Sequence, residues 1–248
     1  LGRMMPQTLH QKGYEIRTFM PKYGCVNERR NQLHEVIRLS GVNIIIDDND
    51  HPLIIKVASL QPQRIQVYFI DNDDYFQKLS SDVDPIGSNR TDNDERDIFY
   101  ARGTLETAKK LRWEPRIVHC DGLVSALTPI YLKELYRDDP VFHEAKIVYS
   151  VVPGVFTEPL SQRLIYKLHA DGISEEVLTE FKEMECNCNL LHKLAIAFSD
   201  GVMFHTEPDP ELLAYAESKG KPVMQTTMEE VEADRYIEFY NSLTTDEA

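Results

Sequence analysis

The chain is short of long apolar runs, of cysteine and of positive charge, and each shortage narrows what it can be. None of its apolar stretches approaches the roughly 18 residues of a bilayer-spanning helix, so no part of the 248 residues reads as a helical span, and no signal-peptide pattern opens it at Leu1. Four cysteines cannot staple a scaffold of this size, which matches a reducing cytoplasm. Cys186 and Cys188 form an isolated C-x-C with no second pair at zinc-site spacing, so neither a metal nor any other cofactor is expected. The 27 lysines and arginines are outnumbered by 41 acids, for a net charge of −14. Nucleic-acid backbones and anionic membranes would be repelled. A neutral, hydroxyl-rich ligand is compatible with that charge.

Hydrophobic content of 42% and charged content of 27% are ordinary for a globular protein. Helical periodicity is expected over Gly2 to Lys12, ended by Gly13, and "YEIRTFMP" then reads as a buried strand. The runs "EVIRLSGVNIIID", "HPLIIKVASLQ" and "RIQVYFIDN" have little helix between them, and predict antiparallel or mixed strands at one sheet edge. "LSSDVDPIGSNR", Leu79 to Arg90, reads as a mobile loop. Apolar spacing over Asn93 to Arg112 predicts a helix.

Beyond Arg112 the pattern alternates. Strand "RIVHC", helix Leu123 to Tyr136 and strand "AKIVYSVV" lead to a helical region from Ser161 to Phe198. Strand "GVMFH", helix Pro208 to Lys219, strand "KPVMQ" and a helix over Met228 to Leu243 complete it. Alternation of this kind predicts an α/β fold: a Rossmann-like, doubly wound, mostly parallel sheet with helices on both faces. With no repeat and no biased linker, residues 1–248 read as one domain. Ligands in such sheets sit at the carboxyl ends of the strands. That points to His119–Asp121, Ser150–Val155 and His205–Glu207.

Four segments, "MPQTLHQKGYEIRTFMPKYG", "DNDERDIFYARGTLE", "IVHCDGLVSALTPIYL" and "KLAIAFSDGVMFHTE", in that order resemble the N-terminal catalytic domain of starch and glycogen synthases. The first is similar to the family's opening. The second resembles its D-N-x-x-R-F helix, the third its V-H-x-H-D-W-H segment, and the fourth its K-A-G-I-x-x-A-D-x-V-T-T-V-S-P segment. The resemblance implies one lobe of a two-lobed (GT-B) retaining glycosyltransferase, whose family reaction moves glucose from ADP- or UDP-glucose to an α-1,4-glucan. The second, nucleotide-sugar-binding lobe is expected to be absent. The family's K-x-G-G loop would fall just before Leu1. An α-glucan or nucleotide-sugar, and a partner protein carrying the other lobe, are the implied partners.

The matched positions depart from the family's chemistry. His119 aligns with the motif's first His, but Asp121, Gly122, Leu123 and Val124 stand at its second His, Asp, Trp and third His. Val151 stands where the family's sugar-contacting His would be, and an isopropyl group neither donates nor accepts a proton. No residue is therefore assigned a catalytic role, and the chain alone is expected not to catalyse transfer. The alternative is a non-catalytic glucan-binding or protein-interaction module. The candidate cleft residues are Asp92, Asn93, Arg96, His119, Asp121, His205 and Glu207. Each carries a bland reading too. Asp92 fits an N-cap boxed with Glu95 and paired to Arg96. His119 fits a strand histidine on a backbone carbonyl, Cys120 a core residue, and His205 with Glu207 either an acid/base pair or a polar pair facing water.

Overall fold

The computed structural model describes residues 2–77, 84–152, 154, 160–227 and 232–244. Helix α1 (Met4–Gln11) leads to strand β1 (Arg17–Pro21). Short β2 (His34–Glu35), β3 (Val42–Ile46), β4 (Asn49–Leu60) and β5 (Ile65–Asp71) then form antiparallel ladders centred on β4, while β1 joins β5 in parallel. The sheet order is β1-β5-β4-β2, with β3 also on β4. The run read from sequence as one strand, "EVIRLSGVNIIID", is divided. Gly41, at φ +83°, turns the chain between β2 and β3.

After β5 comes α2 (Asn93–Leu111), then β6 (Ile117–Asp121), α3 (Thr128–Leu135) and β7 (Lys146–Val151). There follow α4 (Leu164–Ala170), α5 (Glu175–Leu178), α6 (Cys188–Phe198), β8 (Gly201–Phe204), α7 (Pro210–Ser218), β9 (Val223–Gln225) and α8 (Ala233–Thr244). Strands β6-β7-β8-β9 form a wholly parallel sheet in chain order. The expected α/β architecture is present, with hydrogen bonding divided into a mixed sheet and a parallel one. Residues 228–231 of the expected last helix lie outside the described residues, and the helix begins at Ala233.

Alternation along the parallel strands explains how both faces are covered. Ile147 and Tyr149 of β7, with Val202 and Phe204 of β8, point into the main core beneath α2, α3, α6 and α7. Val148, Met203 and Met224 point the other way, against Leu9 of α1 and Ala233 and Tyr236 of α8. One sheet is thus sandwiched between helices, and its two faces are specified by residues one position apart.

Candidate functional site

The parallel register brings Asp121, Ser150, His205 and the residues after β9 to one end of the sheet. On the α8 face of that end, polar side chains form a continuous chain. Tyr240 Oη lies 2.6 Å from His119 Nδ1, His119 Nε2 lies 2.5 Å from Ser150 Oγ, and Ser150 Oγ lies 2.9 Å from His205 Nε2. His205 also bonds the Thr227 backbone, and Tyr236 Oη stands 3.5 Å from its Nδ1.

The partners set the proton positions. A backbone carbonyl only accepts, so His205 donates to Thr227 and its Nε2 accepts from Ser150. Ser150 in turn accepts from His119 Nε2–H, whose Nδ1 accepts from the Tyr240 hydroxyl. Both imidazoles are neutral: burial, then His205, lowers the His119 pKa to about 3, and burial depresses His205.

This arrangement corrects two readings. His119 bonds two side chains, not a backbone carbonyl, because its strand position faces α8. His205 is 1% exposed and turned inward to Ser150, whereas Glu207 is exposed, so neither the acid/base pair nor a water-facing pair forms. Cys120 is a core residue, as its strand parity requires, and burial pushes its thiol up to about 12.

At the tips of β6 and β7 the site is closed by packing. Gly122 has φ +74° and ψ −176°, a backbone region essentially reserved for glycine. A Cβ at this position would meet Val152 Cγ2 at 2.7 Å. Val151 packs partly buried beside the main core. Next to them, Asp121 Oδ1 is buried and has no hydrogen-bond partner among the described residues, and burial raises the Asp121 pKa to about 6.

The Asp92-Asn93-x-x-Arg96 segment opens α2, and its work is internal. Arg96 is 4% exposed. Its guanidinium donates to the carbonyls of Tyr75, Gly87 and Ile86 and to Asn93 Oδ1 at 2.5–2.9 Å, and lies over the rings of Tyr23 and Phe76. Asn93 Nδ2 donates to Ser88 O. Residues 84–90 are therefore pinned to α2, which corrects the expectation of a mobile loop there; positions 79–83 lie outside the described residues. Asp92 occupies the N-cap position without a side-chain cap bond. It pairs with Arg90 at 2.5 Å instead, so neither the capping box nor an Asp92–Arg96 ion pair forms.

The sequence reading missed two buried acids on the same helix. Asp94 binds Lys167 at 2.7 Å, and Asp97 is 1% exposed. Burial raises both pKa values, with Lys167 opposing it at Asp94 and Arg96 at Asp97. Each has one oxygen unpartnered among the described residues. The signal was available: Asp97 lies within the apolar stripe that continues through Ile98 and Ala101.

A parallel sheet wrapped by helices, beside a separate mixed sheet, is the architecture of one Rossmann-like lobe of a GT-B glycosyltransferase. The catalytic domain of starch synthase IV from Arabidopsis thaliana, bound to ADP and acarbose, superposes on 90% of this chain and 46% of its own, with a TM-score of 0.67 at 18% identity. The family model for the starch synthase catalytic domain matches residues 2–204. Glycogen synthases of Chlorobium limicola and Chlorobium luteolum are each 35% identical over 189 residues, covering 75% of this chain and 38% of those proteins. The chain belongs to the starch/glycogen synthase family, and it spans well under half the length of these curated relatives.

Proposed function

We propose that this chain is a glucan-handling lobe of the starch/glycogen synthase type that does not, by itself, transfer glucose from ADP- or UDP-glucose. One observation carries the reading: Val152 fills the space above Gly122 where the family motif carries an aspartate. Retaining transfer needs preorganised donors and charges around the anomeric carbon and the leaving phosphates. Here the corresponding strand tips offer a glycine held where no side chain fits, an isopropyl at Val151, and histidines engaged with Ser150, Tyr240 and Thr227. The four free cysteines suit a cytoplasmic setting.

Two assays test the proposal. Incubation with ADP- or UDP-[14C]glucose and maltoheptaose should leave the primer unlabelled, and migration through a glycogen-containing native gel should be retarded. Primer labelling by the unaided chain overturns the loss of catalysis. Unretarded migration overturns glucan handling and leaves a protein partner as the role of the lobe.

A further inference from the structure

A hollow of about 260 Å³ opens at the opposite end of the parallel sheet, where α3 and α6 finish and β7, β8 and β9 begin. Lys133, Glu134, Arg137, Phe198, Asp200 and Lys221 contribute to its walls. Lys133 is matched: its ammonium binds Asp200 at 2.9 Å and 3.0 Å, and Asp200 is itself held by the Ile147 backbone N–H at 2.7 Å. Arg137 and Lys221 are different. Neither has an ion-pair or side-chain hydrogen-bond partner among the described residues, although Lys221 is partly buried. Asp200, the carboxylate that attracts the half-buried Lys221 ammonium, is already paired with Lys133, and the Arg137 fork in the same hollow offers further donors.

In a molecule of net charge −14, a concavity whose lining carries Lys133, Arg137 and Lys221 against Glu134 and Asp200 is out of keeping with the surrounding field. We propose that this hollow binds a phosphate-type dianion, carried as the phosphomonoester of a small metabolite. The phosphate would sit between Lys221 and Arg137, and the remaining space beside the Phe198 ring would take the carbon part. This site is separate from the strand tips discussed above and does not depend on them. The Lys221 pKa is lowered, by burial first and by repulsion from Lys133 and Lys219 in addition, with Asp200 only partly opposing. That is the electrostatic state a bound dianion would relieve. Glu134 works against such a ligand.

The test is a thermal-shift and calorimetric titration of the whole chain with inorganic phosphate, glucose 1-phosphate and glucose 6-phosphate. Glucose and chloride at matched ionic strength serve as controls. Saturable binding of the phosphorylated probes is expected, tighter for a monoester than for phosphate. Lys221→Met and Arg137→Met should each weaken it roughly tenfold, the loss of one charge-assisted hydrogen bond, and Glu134→Gln should tighten it. Arg137 is exposed, so its variant keeps the test decisive should Lys221→Met fail to fold. Phosphate binding tighter than either monoester assigns the site to the free ion and overturns the metabolite part. Absence of saturable binding, or binding unchanged in Arg137→Met, overturns the site, leaving these cations as partners of the negative ends of α3 and α6.

Discussion

Gly122 and Val152 should behave as one energetic unit, and a double-mutant cycle measures it. Gly122→Ala places a side chain in a backbone region that costs about 1–3 kcal/mol for non-glycine residues. The new methyl also meets Val152 Cγ2 at 2.7 Å, adding overpacking of about 1–3 kcal/mol. The single variant should therefore lose about 4 kcal/mol, a displacement of the urea midpoint by more than about 1 M. Val152→Ala removes two methyls from a partly buried position and should cost about 1 kcal/mol. In the double variant the clash disappears while the backbone cost remains, so its loss should fall short of the sum of the two single losses by about 1–2 kcal/mol. Urea unfolding followed by far-UV circular dichroism, with the lone Trp113 as a second probe, supplies all four stabilities. A Gly122→Ala loss below about 1 kcal/mol, or strict additivity, would refute the view that the strand tips are closed by this contact.

Ser150→Ala should cost about 2–4 kcal/mol in the same assay, because it leaves Nε2 of both His119 and His205 without a partner in a buried setting. The pH dependence has two opposed parts. His119, whose pKa falls from 6.5 to about 3 on folding, contributes stability above pH 6.5 that is lost as pH drops toward 3, whereas Asp121, raised from 3.8 to about 6, contributes stability below pH 3.8 that is lost as pH rises through 6. Asp121→Asn should accordingly stabilise at pH 8 by up to about 3 kcal/mol and change little near pH 4, as read from urea midpoints at the two pH values. Arg96→Lys keeps the charge but cannot reach the spread of acceptors the guanidinium serves, so residues 84–90 should become cleavable by trypsin under native conditions at a faster rate.

Periodicity carried most of the architecture. Strands β6 to β9 and the helices between them alternate because each must bury its faces, and that need is written as apolar residues at a spacing of two or three to four. The hairpins of β3–β5 were legible for the same reason. What escaped was set by contacts distant in sequence. Arg96 reads equally well as a group lining the cleft or as the partner of Asp92 one turn back, and only the carbonyls of residues 75, 86 and 87 make it a clamp. His205 looks like a strand-end residue poised beside Glu207, yet the parity of β8 turns it toward Ser150, 55 positions away. The departures at Gly122 and Val151 were visible in the sequence, but the placement of Val152 against Gly122 was not, since nothing local encodes it.

The first and last helices, α1 and α8, share one small apolar layer on the same side of the parallel sheet, and Lys12 reaches Asp234 at 2.8 Å. During synthesis that layer has no second wall until α8, more than 200 residues after α1, has left the ribosome. Leu9 and Met203 must wait, wet and unshielded, for Tyr236 to arrive. A seam that closes this late leaves the nascent polypeptide in need of a chaperone's cover, and loss of α8 would bare Leu9, Val148, Met203 and Met224 together.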